Sequence, residues 1–351
     1  MELRKISEHI GKWFSGSGPM SDIVISSRIR LARNIAGYEF VSNCSQESQA
    51  IILEKLKEVL LALDLGQKVS YICVDKAGQL DKDFLVERHL ISRLHAQSKA
   101  LRGVVIAADE MFTAMINEED HLRIQVLMPG LQLFQCWEQL NRIDDIVEQH
   151  IEYAFDSRLG YLTACPTNIG TGIRVSVMLH LPALKITGHL EKFFNAARDM
   201  NLAVRGLFGE GTEAVGDFFQ ISNQTTLGVK EEDIVKKFSD VIIPEIVGYE
   251  KLAREQLFEK KKNMINDKIY RAMGILSNAQ MISSSEAMFL LSHLRLGVNL
   301  KKIDNLSIDK INELFLLTQP AHLQLNSGGP LSQDDRDELR AKIIRNCLNQ
   351  N

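Results

Sequence analysis

The stretch YLTACPTNIGTGIRVSVM, residues 161–178, limits the possible folds more than any other part of the chain. Tyr161 to Ala164 is a short apolar run, and Cys165-Pro166 stops it, because proline has no N–H to give a strand ladder. Asn168, Gly170 and Gly172 then supply a loop whose backbone can pass close to a ligand. A second strand of the same hairpin is expected from Ile173 to Leu181. Alternate residues of a strand share a face. Arg174, Ser176 and Met178 therefore look one way, and Val175, Val177 and Leu179 look toward a core. An arginine on a polar strand face beside a Gly-rich turn fits an anion site, and it also fits an ordinary exposed hairpin.

Similar stretches elsewhere bear on that choice. Residues 1–20 read as a short amphipathic helix ending in Gly16-Ser17-Gly18-Pro19. SDIVISSRIRLARN, residues 21–34, has the period of a strand, with Ser26, Arg28 and Arg30 on one face and Ile25, Ile29 and Leu31 on the other. Two arginines so placed are costly unless something anionic sits there, or unless the face is simply solvated. Residues 45–64 have helical periodicity and 69–74 that of a strand. Residues 83–98 are mixed and carry His89, which by residue type alone is a packing or surface histidine. Met111–Ile116 and Leu122–Met128 read as a hairpin joined by Asn117-Glu118-Glu119-Asp120, a run of carboxylates that ordinarily marks a solvated turn. Arg123 follows, sharing a face with His121 and Gln125. Residues 131–157 and 189–200 read as helices, 202–204 and 218–222 as strands. Arg205-Gly206-Leu207-Phe208-Gly209-Glu210-Gly211 combines backbone freedom with two charged groups.

From about residue 250 strand patterns disappear. Ser283-x-x-Glu286 and Ser332-x-x-Asp335 are capping boxes that open helices. The expected division is an N-terminal segment over 1–20, an α+β domain over 21–254, and an all-helical domain over 255–351. The chain of 351 residues allows this, and its net charge of −4 gives no global pointer to nucleic acid or membrane. Five dispersed cysteines without a C-x-x-C, no signal-peptide pattern and no membrane-length apolar run suit the cytoplasm. Nine histidines show no metal spacing, so no protein-held metal is expected.

Arg28, Arg30, Arg123, Arg174 and Arg205, with Glu119 and Glu210, make a constellation suited to a triphosphate where no P-loop exists. In phosphoryl transfer, catalysis is mostly positioning and charge stabilisation. SSRIR (26–30), NEEDHLR (117–123), CPTNIGTGIRVSV (165–177), RGLFGEG (205–211) and ISNQTTLG (221–228) resemble the guanidino, or phosphagen, kinases in order and spacing. The resemblance implies an antiparallel sheet flanked by helices, with Mg²⁺ and ATP as cofactors, the metal held through the nucleotide. It assigns ATP binding to Ser26, Ser27, Arg28, Ile29 and Arg30, to His89 and Arg123, to Arg174, Val175, Ser176, Val177 and Met178, and to Arg205, Gly206, Leu207, Phe208, Gly209 and Glu210. It assigns catalysis to Glu119, Glu210, Cys165, Arg123, Arg174 and Arg205. Two carboxylates would grip the acceptor guanidinium, whose pKa above about 12 makes it a poor nucleophile until a proton leaves.

Departures point to a branch. The first arginine motif starts near residue 26, so the N-terminal domain that covers small substrates is expected to be missing. Met178 replaces a usual histidine, and Phe208 stands where some members have arginine. With the helical C-terminal part, this is similar to the bacterial protein-arginine kinases. RDELRA, residues 336–341, matches that branch's phosphoarginine pocket, implying an allosteric site of Arg336, Asp337, Arg340 and Ala341. Without the resemblance it is an ordinary salt-bridged helix. The implied partners are arginine-bearing protein substrates such as the heat-shock repressor CtsR, the activator McsA, the ClpC–ClpP protease and a second copy of the chain, with no direct nucleic acid or membrane. The alternatives are a kinase for free arginine or another small guanidino compound, and a non-catalytic phosphoarginine-binding adaptor.

Overall fold

The computed structural model describes residues 3–7, 9–206 and 215–349. Its centre is one antiparallel sheet of eight strands. In chain order the ten strands are β1 (Val24–Arg33), β2 (Val69–Cys73), β3 (Gly103–Ala107), β4 (Phe112–Ile116), β5 (Leu122–Pro129), the two-residue β6 (Phe155–Asp156) and β7 (Gly160–Tyr161), β8 (Ile173–His180), β9 (Leu202–Gly206) and β10 (Phe218–Asn223). The large sheet runs β2-β3-β4-β5-β1-β8-β10-β9, and β6 pairs only with β7. The expected α+β class and antiparallel sheet are therefore present.

The helices are α1 (Leu3–Ser7), α2 (Gln46–Leu61), α3 (Gln79–Glu87), α4 (Arg93–Gln97), α5 (Leu133–Glu148), α6 (Pro182–Ile186), α7 (Leu190–Asp199), α8 (Glu231–Lys237), α9 (Ile243–Lys260), α10 (Lys262–Asn278), α11 (Ser284–Asn299), α12 (Ile308–Leu317), α13 (Pro320–Ser327) and α14 (Gln333–Asn349). One sheet face packs on α2, α5, α8 and α9 around Ile29, Leu31, Ile124, Val126, Val175 and Val177. A second core joins the C-terminal helices to the opposite face through Ile25, Leu127, Met178 and Phe218, with Trp13 and Phe14 between them. α9 runs past residue 254, and its Leu257 still packs in the first core. The chain leaves helical geometry at Lys261 (φ −136°), between α9 and α10.

Several local expectations need correction. The N-terminal stretch is a five-residue helix and a 3₁₀ turn (Lys12–Phe14) rather than one helix. Tyr161–Ala164 does not pair with β8 as a hairpin. Only Tyr161 bridges, to Gly170 and Phe155. The helix starting at Leu133 ends at Glu148. In β1 the alternation breaks between Val24 and Ser26, where a bulge inserts a residue against β8. Ile25 therefore joins the second core instead of sharing a face with Ile29 and Leu31.

Candidate active site

Five neighbouring strands each send side chains to the same face. In the order β5-β1-β8-β10-β9 these are Arg123, Arg28 and Arg30, Arg174, Gln220 and Arg205. The register sets Arg30 directly opposite Arg174, Arg28 opposite Ser176 and Arg205 opposite Gln220. Strands sit roughly 4.8 Å apart, and like charges directly opposite one another destabilise a sheet. The cleft they floor has a volume of about 700 Å³ and is walled by His89, Ser92, Arg93, Glu118, Glu119, Cys165 and Asn168. That is within the usual range for small-ligand sites. Six arginines against two glutamates leave its lining strongly positive.

The electrostatics show that strain. Arg28 is lowered to about 9 by burial and then by Arg123, Arg174 and Arg205. It is tied to Ser176 Oγ at 3.2 Å and Gln220 Oε1 at 2.7 Å. Arg30 is pulled well below the normal arginine range by burial, then by Arg123, Arg28 and Arg174, with Glu118 opposing. Its Nε is buried without a hydrogen-bond partner. A buried charged donor left unsatisfied is costly, so the geometry fits an anion supplied from outside.

Arg123 is the contrast. It donates to Glu118 at 2.7 Å, and its guanidinium is pushed upward despite burial. Glu118 is 2% exposed. It also accepts from Ser92 Oγ at 2.5 Å and from the Glu119 N–H at 2.8 Å, and with Arg123 these hold its carboxyl down at about 2 against the burial. The carboxylate run 118–120 is therefore not a solvated turn. Asp120, 1% exposed, accepts from Asn34 Nδ2 and the Ala164 N–H, both at 2.7 Å, and so fixes the entry to the Cys165 loop. Glu119, half-buried, is the carboxylate left facing the cleft. Burial raises its carboxyl, with Arg123 opposing.

Across the cleft, Cys165 Sγ lies 3.0 Å from Thr167 Oγ1. The loop glycines serve packing rather than ligand approach. Gly170 (φ +109°) has no room for a Cβ, which would lie 2.6 Å from the Thr226 carbonyl. Gly172 (φ +65°) faces the Ala32 carbonyl in the same way. Of the three loop residues, only Asn168 lines the cleft. His89 lines it too, from a left-handed residue (φ +57°) at the end of α3, its ring edge-on to Trp13 at 5.4 Å. Burial, then Arg28 and Arg93, hold the imidazole down at about 3, so it is neutral near pH 7.

The sequence-predicted residues thus fall into three groups. Arg28, Arg30, His89, Glu119, Arg123, Cys165, Arg174 and Arg205 line the cleft. Ser26, Ser176 and Met178 line a small cavity that shares Arg28 and His89 with it. Ser27, Ile29, Val175 and Val177 are corrected: strand alternation turns their side chains to the opposite face. Ser27 Oγ donates to the Gly130 carbonyl at 2.8 Å, and the other three lie in the first core. Gly206 ends β9 opposite Phe219. Leu207, Phe208, Gly209 and Glu210 lie outside the described residues. His121, expected beside Arg123, is buried, with Nδ1 accepting from the Ile35 N–H. Glu118, Ser92, Arg93 and Gln220 were missed. Gln220 could have been found from its parity in the expected strand 218–222, where it lies between the apolar Phe219 and Ile221.

The proposed phosphoarginine residues sit at the start of α14. Ser332 and Asp335 form the expected reciprocal cap, with N–H to side-chain distances of 3.1 and 3.3 Å. Arg336 donates to the Leu331 carbonyl at 2.7 Å. Arg340, 1% exposed, donates to the carbonyls of Thr318 and Ile282 and to Asp337, and Ala341 is packed in the second core.

Comparison with known proteins agrees with this geometry. Residues 51–253 match the family described as ATP:guanido phosphotransferase, C-terminal catalytic domain, and residues 262–351 match the protein-arginine kinase McsB C-terminal domain. A protein-arginine kinase of Bacillus pumilus is 44% identical over 98% of this chain and 94% of its own. One from Halothermothrix orenii is 42% identical over 98% of each. Among solved structures, a lombricine kinase aligns with a TM-score of 0.58 at 27% identity, covering 70% of each chain. A duplicated taurocyamine kinase from Schistosoma mansoni shares the fold, with a TM-score of 0.62 over 70% of this chain and 35% of that one.

Proposed function

This chain belongs to the protein-arginine kinases, a branch of the ATP:guanido phosphotransferases, and from that premise we propose that it transfers the γ-phosphoryl of ATP to arginine side chains of proteins. The observation that carries the reading is the arginine row, drawn from four of five neighbouring strands, with the Arg30 Nε buried and without a partner in the cleft that Glu119 also lines. The row suits the phosphate oxygens, since guanidinium groups offer forked donors. Magnesium would arrive with the nucleotide, held through its phosphate oxygens.

In the proposed reaction, an Nη atom of the target arginine forms the N–P bond as the bond from the γ-phosphorus to the β,γ-bridging oxygen breaks, and ADP leaves. The proton lost by the guanidinium passes to a carboxylate, with Glu119 and Glu210 as the candidates. Burial makes Glu119 a better base than a free glutamate. Arg123, Arg174 and Arg205 stabilise charge as the phosphoryl moves, and Cys165 orients the acceptor. We further propose a cytoplasmic role in which phosphoarginine marks proteins for ClpC–ClpP, with McsA and CtsR as partners and the Arg336–Ala341 turn as the regulatory site. No helix among the described residues is long and apolar enough to cross a membrane.

A competition tests the substrate. The protein receives Mg²⁺-ATP, an arginine-rich polypeptide and excess free arginine, and acid-labile phosphate is followed on each. Phosphate on the polypeptide alone, abolished by Glu119→Ala, is expected. Phosphate on free arginine would establish the small-molecule kinase instead.

A further inference from the structure

Three consecutive residues close α3 and face three different regions. His89 lines the cleft. Arg88, fully buried, donates to both Glu110 oxygens and to the His9 carbonyl. Glu87 reaches the C-terminal helices. Its Oε1 accepts the Ala321 N–H at 2.8 Å, and its Oε2 accepts the His322 N–H at 3.1 Å and Nδ1 at 2.8 Å. With Nδ1 donating, the His322 Nε2 is an acceptor, and Arg88 Nη1 lies 3.2 Å from it. One carboxylate and one imidazole thus join the first turn of α13 to the last turn of α3.

His89 lies two residues along the chain from the Glu87 end of that junction. A left-handed backbone at a non-glycine residue persists only where its surroundings over-determine it. Here the His89 N–H donates to the Val86 carbonyl at 3.0 Å, and its own carbonyl accepts from Gln125 Nε2 at 2.9 Å on the arginine face. On the far side, Arg340 of α14 holds the Thr318 carbonyl at 2.9 Å, two residues before α13 begins. Hydrogen bonds thus tie α14 to the residues just before α13, and α13 to Glu87, from which the chain runs through Arg88 to His89.

We propose that Glu87 and His322 are positioning residues for the kinase reaction, holding His89 in the nucleotide cleft from the C-terminal helices, so that the seat of α13 sets nucleotide affinity. The inference rests on the assignment of His89 to the nucleotide. It gives the C-terminal helices a physical route to the cleft.

The test uses the full-length protein. Glu87→Gln is expected to raise the KM for Mg²⁺-ATP about tenfold, the worth of about one hydrogen bond, because an amide keeps a single acceptor oxygen where three N–H donors converge, while kcat changes little. The ring resonance of ¹³C-labelled His89 should shift without nucleotide, and Glu87→Asp should restore part of both. A purely structural role would lower the unfolding temperature and leave the KM and the His89 resonance of the folded protein where they were, and that result overturns the proposal. Should Glu87→Gln fail to fold, His322→Asn, which keeps a donor toward Glu87 but loses the acceptor for Arg88, carries the same readouts with a smaller shift. A His89 resonance that moves in variants of a protein that never turns over ATP would leave the positioning intact and sink the functional reading.

Discussion

One face of the central sheet carries two regions with opposite electrostatic design, and single strands run through both. On β8, Arg174 stands in the cleft, while His180, six residues on along the same face, is sealed under α11. At the sealed end, buried arginines are saturated. Arg295 donates to the Ser21 and Asp22 carbonyls and to Asn312 and pairs with His180, and Arg88 is locked to Glu110. At the open end, Arg30 keeps a buried Nε with no partner and lies opposite another arginine. Burial of an arginine therefore does not by itself indicate a site. What separates the two regions is whether the protein itself satisfies the guanidinium donors, as carbonyls do for Arg295 and a carboxylate does for Arg88. Where it does, the arginine holds the fold together, and where it does not, a buried donor is left open to an anion from outside.

The largest expected contrast comes from Arg30. Arg30→Met should lower kcat/KM by about 10³-fold or more, the worth of a well-placed arginine in phosphoryl transfer. It should leave the urea midpoint unchanged or raised, because it removes a repelled charge. Arg88→Ala should do the reverse, costing about 3–5 kcal/mol in urea unfolding, since it strands Glu110 in the interior. Equal stability losses in both variants would break the comparison.

Glu118→Gln sharpens it, because Glu118 is the internal counter-charge of the open end. Loss of one charge-assisted hydrogen bond, roughly 1.5–3 kcal/mol, predicts a 10- to 100-fold fall in kcat with Arg123 still present. An unchanged rate would mean that Arg123 needs no holding.

The smallest effect concerns His89. Its folded pKa is about 3, depressed from 6.5. A base with a depressed folded pKa favours the native state fully above its unfolded value and loses that contribution as pH falls from 6.5 toward 3. The His89 ring should therefore show no titration between pH 5 and 9 by NMR, and no limb of the kcat/KM profile in that range should belong to it. An inflection near 6.5 that vanishes in His89→Gln would contradict this.

Much of this was legible in the sequence. Period-2 alternation placed Arg28 and Arg30, Arg174 and Ser176, and Arg123 and Gln125 on faces that the sheet then brought together. The bulge at Ile25 was not legible, because a single inserted residue leaves composition untouched and reverses parity. Nor could the sequence rank Glu118, Glu119 and Asp120. Three adjacent carboxylates look alike until Ser92, from a distant loop, and Asn34, from the end of β1, claim the first and third. Motif-wide assignment also swept in Ile29, Val175 and Val177, whose side chains alternation turns into the core.

The most direct test of the central claim is thermal unfolding with and without Mg²⁺-ADP, on wild type and Arg30→Met side by side. A nucleotide that binds only the native state raises its unfolding temperature. The account predicts that wild type gains markedly from the nucleotide, while Arg30→Met starts as high or higher and gains little. An Arg30→Met protein that starts lower and gains as much as wild type would show that Arg30 supports the fold rather than the phosphate.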